Sequence, residues 1–300
     1  MNKKIEELKE CDLCSANLTR YGKTIAQGGF SKSGIVTDIH IDMCMKCKYI
    51  FQREKFNSDT LSILYKDDAG CWDSDFEGKS EKFKLFMLKR QKFLIKALEI
   101  SGFLSRKGLT ILDVGGGVGE ATSHLTSYGK VFIVDVNTSD LCNNKLVKID
   151  GLFDEVIFHN KFDLIVMNHV MEHVFSPTIY LEKAYENLKD DGVLVVEVPF
   201  ELYTPLLFGR TGDWRHVCYF STNVLRNFIR KAGFQEIYLK LTTGHYEERR
   251  IAVIRVIAKK KNIDKRVTIK TQSILPLIWD CLHVRAITAY ITSQIRKIST

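Results

Sequence analysis

Four of the eight cysteines stand in two Cys-x-x-Cys pairs, Cys11 with Cys14 and, further along the chain, Cys44 with Cys47. A tight turn between two cysteines lets both thiolates face one ion, and two such turns complete a tetrahedral site. Because cysteine fills all four positions, we predict a structural zinc ion rather than a catalytic one. A redox role would need one such pair ahead of a helix, whereas this chain has two pairs.

A glycine-rich turn near the middle of the chain can bring its backbone close to a ligand. Gly115, Gly117 and Gly119 follow an apolar run, and glycine leaves the backbone N–H groups accessible. A dinucleotide fingerprint would need glycine where Glu120 stands, and the Gly-Lys-Ser/Thr of a phosphate-binding loop is absent. Asp135 at the tip of the next apolar run suits a ribose, because ribose hydroxyls donate hydrogen bonds to a carboxylate.

Two histidines near the next strand end offer a second metal hypothesis. His169 and His173 are four residues apart with Glu172 between them, so on a helix they could share one face and bind a metal ion. The segment follows a predicted strand, however, and the sequence shows no third ligand. We therefore expect no metal ion at these histidines.

Alternating strand and helix patterns must position these residues. The predicted strands are 109–114, 131–134, 162–167, 193–198, 235–241 and 251–258. The predicted helices are 80–100, one from the glycine turn to about Tyr128, one from Pro177 to Leu188 and one from Ser221 to Gly233. We predict an α/β fold with a mostly parallel sheet covered on both faces and a closing antiparallel hairpin. Ligands of such sheets bind beyond the carboxyl ends of the strands, where the candidate residues lie.

The chain resembles the class I S-adenosylmethionine-dependent methyltransferases over roughly residues 105–260. Residues 112–119, Leu-Asp-Val-Gly-Gly-Gly-Val-Gly, are similar to the first motif of that family, and Asp135 is similar to the acidic residue that holds the cofactor ribose. Residues 168–174 resemble the segment after the family's fourth strand, and residues 188–192 resemble the turn before the fifth.

This resemblance implies a Rossmann-like methyltransferase sheet and S-adenosylmethionine as the cofactor. The residues that it assigns to cofactor binding are Asp113, Gly115, Gly117, Gly119, Asp135 and Asn168. Segment 137–161 departs from the family's usual helix, strand and helix, so only Asp150 is a candidate for the adenine contact.

Two further features resemble the methyltransferases that act on nucleotide-linked deoxysugars. A four-cysteine ribbon precedes the methyltransferase domain there, and residues 213–221 are similar to the segment that carries their catalytic histidine. The resemblance implies that His216 is the general base and His173 a second active-site histidine. Asp213 and Glu172 are both candidates for the carboxylate that orients the imidazole.

The sequence departs from that group in ways that bear on the acceptor. Asp213 and Arg215 stand where the group has Tyr and Glu, and the long C-terminal substrate domain of its C-methylating members is missing. We therefore expect O-methylation of a sugar or nucleotide-sugar for a surface glycan or a secondary metabolite. A lipid or another small molecule is the alternative acceptor, which the apolar C-terminal tail would favour.

Charge and composition limit the partners. The net charge is +8, but residues 249–300 carry 12 basic and 2 acidic residues, so the remainder is slightly acidic. We therefore expect no nucleic-acid partner, since the methyltransferase part is not a basic groove. A ribbon that reads nucleic acid would be rich in aromatic and basic residues, whereas residues 11–47 contain only Tyr21 and Phe30 as aromatics.

The chain divides into four predicted segments. These are a zinc ribbon (1–60), a helical connector (61–104), the methyltransferase domain (105–260) and a basic linker with an apolar C-terminal helix (261–300). The last segment has three alternatives, which are packing on the body or on a second copy as a homodimer, lying on a membrane surface, and disorder. The first residues are charged and no apolar run is long enough to span a bilayer, so we expect a cytoplasmic enzyme.

Overall fold

The computed structural model describes residues 5–18, 24–25, 39–56, 81–136, 140–202, 216–246, 249–261 and 269–282 of the 300-residue chain. The strands are β1 Ile5–Glu7, β2 Thr24–Ile25, β3 Ile39–Met43, β4 Ile50–Gln52, β5 Glu54–Phe56, β6 Leu109–Val114, β7 Gly129–Asp135, β8 Leu146–Asp150, β9 Phe162–Asn168, β10 Leu188–Pro199, β11 Cys218–Tyr219, β12 Phe234–Tyr246 and β13 Arg249–Lys260. The α-helices are α1 Glu81–Ser101, α2 Pro177–Asn187, α3 Thr222–Lys231 and α4 Leu275–Leu282, and short 3-10 helices span Ser123–Ser127 and Met171–His173.

A seven-stranded sheet forms the centre of the molecule, in the order β12-β13-β10-β9-β6-β7-β8. Strands β6 to β10 pair in parallel, whereas β13 runs antiparallel to both β10 and β12. The six predicted strands are confirmed, and so is the predicted fold class of a mostly parallel sheet with an antiparallel closing hairpin. The apolar runs of β6, β9 and β10 are buried because helices cover the sheet.

Three helices agree with their sequence signals, one in its buried face and two in the residue at which they begin. Helix α1 buries Phe86, Leu94 and Leu98 on one face, as its helical spacing predicts. Helix α2 begins at a proline behind Ser176, whose hydroxyl accepts a hydrogen bond from the Ile179 amide. Helix α3 begins behind its predicted cap, and the cap hydroxyl accepts a hydrogen bond from the third residue of the helix.

The predicted helix after the glycine turn is wrong, because the chain forms turns and then a 3-10 helix over Ser123–Ser127. Hydroxyl side chains explain the difference. Ser123, Thr126 and Ser127 each donate a hydrogen bond to the carbonyl three residues earlier, at 2.8 to 3.4 Å. These bonds compete with the four-residue spacing of an α-helix, and serine and threonine are weak helix formers in any case.

Residues 140–161 contain the one strand of the seven-stranded sheet that the sequence did not reveal. Strand β8 extends the sheet beyond β7, and residues 140–161 hold no helix on either side of it. Only Leu146 of this strand is buried, because β8 lies at the edge of the sheet. A short edge strand with one buried residue leaves little hydrophobic pattern for a prediction to use.

A second sheet joins the N-terminal residues to the methyltransferase domain, in the order β11-β4-β3-β2. Strands β2, β3 and β4 come from the cysteine-rich segment, whereas β11 comes from the methyltransferase part, between β10 and α3 in the chain. Within the described residues, no helix is long and apolar enough to cross a membrane.

Candidate functional site

The three glycines of the turn after β6 adopt the left-handed backbone conformation that favours glycine. The φ angles of Gly115, Gly117 and Gly119 are +62°, +56° and +86°. A Cβ on Gly115 would lie 2.8 Å from Val170, and a Cβ on Gly119 would lie 2.5 Å from Leu146. A Cβ on Gly117 would meet no atom within 4 Å, so the open side of the turn is at Gly117.

Asp113 lies beneath this turn rather than facing its open side. Its carboxyl group is buried and accepts a 2.7 Å hydrogen bond from the Thr122 hydroxyl, and a Cβ on Gly116 would come within 2.6 Å of it. Burial raises the pKa of Asp113 to about 7, against the lowering effect of the Thr122 bond. Asp113 therefore supports the glycine turn from below.

Asp135 and Asn168 lie at the carboxyl ends of β7 and β9, as the sequence predicts. One carboxylate oxygen of Asp135 accepts a 2.7 Å hydrogen bond from the Gly117 amide. Asp150 pairs with Asp135 in the register of β7 and β8, so the adenine candidate ends the neighbouring strand. The side-chain nitrogen of Asn168 is buried and has no hydrogen-bond partner among the described residues, which leaves a donor for a ligand.

A buried ion cluster that sequence reasoning missed lies at the end of β10. Glu197 is fully buried and accepts hydrogen bonds from Arg90 of α1 at 2.7 Å and from Arg255 of β13 at 2.5 Å. Burial would raise the pKa of Glu197, but Arg90, His169 and Arg255 together hold it well below its ordinary value. The signal in the sequence is a lone acidic residue within the apolar run 193–198.

His169 is held against this cluster by its backbone and its ring. Its φ angle is +55°, and its amide donates a 2.8 Å hydrogen bond to the Glu197 carbonyl. Its Nε2 lies 3.2 Å from a carboxylate oxygen of Glu197. Burial and the nearby Arg90 lower the pKa of His169 to about 4, so the imidazole is neutral at physiological pH.

His173 and His216 meet at the carboxyl edge of the sheet. Their rings are 4.9 Å apart between centroids in an edge-to-face arrangement. Glu172 lies beside them, with a carboxylate oxygen 3.8 Å from Nε2 of His173. Glu172 is 1% exposed, and burial raises its pKa to about 8 even though His216 acts in the opposite direction. Neither carboxylate oxygen has a hydrogen-bond partner among the described residues.

The carboxylate that contacts His216 is Glu201, which the sequence analysis did not name. An oxygen of Glu201 lies 2.6 Å from Nδ1 of His216, whereas Glu172 makes no hydrogen bond to that imidazole. The expectation of Glu172 as the orienting group is therefore wrong, and Asp213 lies outside the described residues. Glu201 was missed because it comes 15 residues before its partner on the loop after β10, so no spacing rule links them.

The histidine segment adjoins the glycine turn directly. Val170, which lies between His169 and Glu172, is the residue that a Cβ on Gly115 would strike. Glu172, His173 and His216 can each offer a ligand atom within 4.8 Å of the others, so His216 is the third group that the sequence did not reveal. His169 and His173 do not share a helix face, because His169 precedes the short 3-10 helix.

The four cysteines of the two pairs converge as the sequence predicts. The sulfur atoms of Cys11 and Cys47 are 3.5 Å apart, and those of Cys14 and Cys44 are 3.6 Å apart. Four thiolates around one zinc ion at about 2.3 Å would stand about 3.8 Å apart, so the donor set fits a tetrahedral ion. Cys11, Cys44 and Cys47 are buried, as expected for a site that stabilises a small unit.

The parallel sheet, the open glycine turn and the acidic strand tip together define an S-adenosylmethionine-dependent methyltransferase. A family model described as a methyltransferase domain matches residues 86–239, and the chain belongs to that family. No curated protein matches the chain.

Solved structures with the same fold are distant in sequence. The 1,6-didemethyltoxoflavin-N1-methyltransferase of Burkholderia thailandensis, crystallised with 1,6-didemethyltoxoflavin and S-adenosylhomocysteine, is 14% identical, covers 75% of this chain and 96% of its own, and has a TM-score of 0.51. The N-methyltransferase NodS from Bradyrhizobium japonicum is 15% identical, covers 59% of this chain and 97% of its own, and has a TM-score of 0.45. An S-adenosylmethionine-dependent methyltransferase from Clostridium acetobutylicum is 13% identical, covers 68% and 99%, and has a TM-score of 0.46.

Proposed function

We propose that this enzyme transfers the methyl group of S-adenosylmethionine to a hydroxyl of a sugar or nucleotide-sugar. The observation that carries the proposal is the hydrogen bond between His216 and Glu201, located where the chain resembles sugar methyltransferases. Sugar hydroxyls are weak acids, so an acceptor of this class gains from a base held in a fixed orientation.

In this proposal the cofactor lies over the glycine turn. The open side of Gly117 lets the ligand approach the backbone of the turn, and the Asp135 carboxylate at the tip of β7 accepts hydrogen bonds from the ribose hydroxyls. Asn168, at the end of β9, supplies a further donor to the ligand with its buried amide nitrogen, which has no partner among the described residues. Gly115 and Gly119 fix the shape of the turn, and Asp113 supports it.

His216 is the proposed general base. When Glu201 accepts a hydrogen bond from Nδ1–H, the lone pair of the imidazole stands on Nε2 and can take the acceptor proton. Bound S-adenosylmethionine would supply a methyl group activated by its sulfonium, so that the acceptor oxygen could bond to the methyl carbon while the carbon–sulfur bond breaks and its electron pair goes to sulfur. Alignment of acceptor and methyl contributes about 7–11 kcal/mol, and the base contributes about 10²–10⁴-fold.

His173 and Glu172 complete the proposed acceptor pocket. The edge-to-face contact of the two imidazoles keeps His173 beside the base. Because its pKa is about 8, Glu172 is mostly protonated at neutral pH and can donate a hydrogen bond to an acceptor oxygen. The cysteine unit, in the same proposal, holds a structural zinc ion through Cys11, Cys14, Cys44 and Cys47.

We also propose that α4 contacts an anionic membrane surface. Leu275, Ile278, Trp279 and Leu282 form one exposed stripe at helical spacing, with exposures of 68%, 42%, 72% and 60%. The opposite face is fixed to the body, since Asp280 accepts a 2.7 Å hydrogen bond from the Thr222 amide. Four basic residues lie between β13 and the helix, at positions 261, 265, 266 and 270, and they would repel their own copies across a two-fold dimer. An acidic lipid surface would bury the apolar stripe at the membrane interface and attract the basic residues to its headgroups.

The acceptor is tested by titration with S-adenosylhomocysteine, followed by a panel of nucleotide-sugars assayed by mass shift. We expect binding of the cofactor product and a gain of one methyl on a hydroxyl-bearing member of the panel. The variant His216→Ala should keep the affinity for S-adenosylhomocysteine and lose turnover. Unchanged turnover would reject His216 as the base, and methylation of lipids alone would replace the sugar proposal.

A further inference from the structure

The first cysteine turn holds the chain just after His173. Asp12, between the first two cysteines, accepts a 2.7 Å hydrogen bond from the Ser176 hydroxyl and a 3.0 Å bond from the Thr178 amide. The Asp12 carbonyl also accepts a 3.0 Å hydrogen bond from the Thr178 hydroxyl. The start of α2 is thereby fixed to this turn, and α2 begins four residues after His173.

The second cysteine turn holds the chain just after His216. The turn closes with a 2.8 Å hydrogen bond from the Cys44 amide to the Tyr49 carbonyl and leads into β4. Strand β4 pairs with β11, and the Gln52 amide donates a 2.7 Å hydrogen bond to the carbonyl of Val217. The Tyr49 hydroxyl contacts the sulfur of Cys218 at 2.6 Å. The residue after His216 is therefore tied to the cysteine-rich segment by its backbone.

The two held segments also meet each other. The Val217 amide donates a 2.8 Å hydrogen bond to the carbonyl of Glu172, so one residue lies between β4 and the Met171–His173 helix. The sulfur contacts cross from one turn to the other, as Cys11 lies against Cys47 and Cys14 against Cys44. An ion bound by all four thiolates would therefore fix the two turns relative to each other.

We propose that the four-cysteine unit sets the separation of His173 and His216, and that Asp12 is a positioning residue for this pair. Each turn holds one of the two histidine segments, and the metal joins the turns. The inference relies on the proposed function for the role of the two histidines in methyl transfer. The structural link between the cysteine turns and the histidine segments relies only on the hydrogen bonds and sulfur contacts. The link and the catalytic role of the histidines can therefore be tested separately.

The variant Asp12→Ala separates the link from the metal site, because it removes the two carboxylate contacts to Ser176 and Thr178 and leaves all four thiolates and the backbone carbonyl in place. Asp154→Ala is the matched control, since Asp154 accepts a 3.1 Å hydrogen bond from Tyr180 on the same helix but lies outside the cysteine turn. We expect Asp12→Ala to keep one zinc per chain and its affinity for S-adenosylhomocysteine within about twofold. Amide exchange across 171–178 should rise at least about tenfold, and the histidine ring resonances should shift.

Turnover with an acceptor from the nucleotide-sugar panel completes the test. We expect kcat to fall at least about tenfold in Asp12→Ala, with an unchanged KM for S-adenosylmethionine, and a partial recovery in Asp12→Asn, which keeps one acceptor oxygen. Wild-type exchange and histidine resonances in Asp12→Ala would overturn the proposal. Raised exchange with unchanged turnover would leave the link standing and refute the role of the histidines.

Metal removal gives a second measurement if Asp12→Ala does not fold. A chelator added to the wild-type protein should raise amide exchange in 171–178 and 216–220 and leave 109–114 of the central sheet unchanged. A uniform rise over all three segments, or no rise in any of them, would overturn the proposal.

Discussion

Glu201 lies 2.6 Å from Nδ1 of His216, although 15 residues separate them in the chain. The side chain of His216 is 13% exposed and that of Glu201 is 34% exposed, so the pair stands at the rim of the site with the imidazole on the inner side. A carboxylate in this position selects one tautomer and one ring orientation. Glu201 thereby takes the orienting role for which the sequence offers Asp213 and Glu172 as candidates.

Replacing Glu201 by glutamine should lower kcat by about 10²-fold. The glutamine keeps the size of the side chain but can donate to Nδ1, which would place the imidazole proton on the reacting nitrogen. The measurement is steady-state turnover on the acceptor found in the panel, with S-adenosylhomocysteine titration as the binding control. Glu201→Asp, which keeps the charge, should retain more activity than Glu201→Gln. Equal activity of the two variants would contradict the tautomer argument.

Gly117 and Gly119 should respond differently to alanine. At Gly119 a Cβ would lie 2.5 Å from Leu146 in the left-handed region, so Gly119→Ala should destabilise the fold by about 2–4 kcal/mol. At Gly117 the Cβ enters open space, so Gly117→Ala should cost only about 1–2 kcal/mol of backbone strain.

The same pair of variants also tests the cofactor assignment. If the open side of Gly117 receives S-adenosylmethionine, Gly117→Ala should weaken S-adenosylhomocysteine binding at least about tenfold in calorimetry while remaining folded. Denaturant unfolding measures the stability of both variants. Full affinity in folded Gly117→Ala would show that the ligand does not approach this residue.

Apolar continuity and glycine placement made the centre of this fold predictable. Strands β6, β9 and β10 were found because their apolar runs are buried on both faces, and the three glycines were found because the turn needs left-handed backbone. The 3-10 form of Ser123–Ser127 was not predicted, because it depends on hydroxyl side chains that bond to carbonyls three residues earlier. The spacing of apolar residues carries no information about these bonds. The roles of Glu201 and Arg90 were not predicted for another reason. Their partners, His216 and Glu197, lie far away in the sequence and come close only when the chain folds.

Replacing Asp113 by asparagine should reduce the loss of stability with rising pH. The folded-state pKa of Asp113 is about 7, above the ordinary 3.8, so the folded state holds this proton more tightly than the unfolded chain. Wild-type stability therefore falls as pH rises from about 4 through 7, and Asp113→Asn, which still accepts from Thr122, removes that contribution. Thermal unfolding at about pH 5 and about pH 8 should show a smaller difference in the variant.

Asp191→Asn is the control for this pH experiment. A hydrogen bond from Arg106 lowers the pKa of Asp191, so its contribution is present above the ordinary pKa and is lost only in more acidic solution. Asp191→Asn should therefore leave the difference in thermal stability between about pH 5 and about pH 8 unchanged. If Asp113→Asn behaves like this control, Asp113 ionises normally in the folded protein.

Two arginine–carboxylate pairs of equal length should contribute very differently to stability. Arg90 donates to Glu197 at 2.7 Å in the interior, and Arg106 donates to Asp191 at 2.7 Å on the surface. Arg90→Met leaves the buried Glu197 carboxylate with only one of its two arginine partners and should lower the free energy of unfolding by about 3–5 kcal/mol. Arg106→Met should cost less than about 1 kcal/mol, because water screens an exposed pair. Urea unfolding measures both, and similar losses would contradict burial as the deciding factor.

Vesicle binding tests the exposed stripe of α4. We expect the protein to sediment with vesicles of phosphatidylglycerol and phosphatidylcholine but not with phosphatidylcholine alone, because the basic residues before α4 need an acidic surface. The double variant Leu275→Ser/Trp279→Ser should lose this binding and keep its S-adenosylhomocysteine affinity. Binding should also weaken in high salt, since screening shortens the reach of the basic residues. No sedimentation with acidic vesicles would reject the proposal, and so would a dimer that the same double variant dissociates.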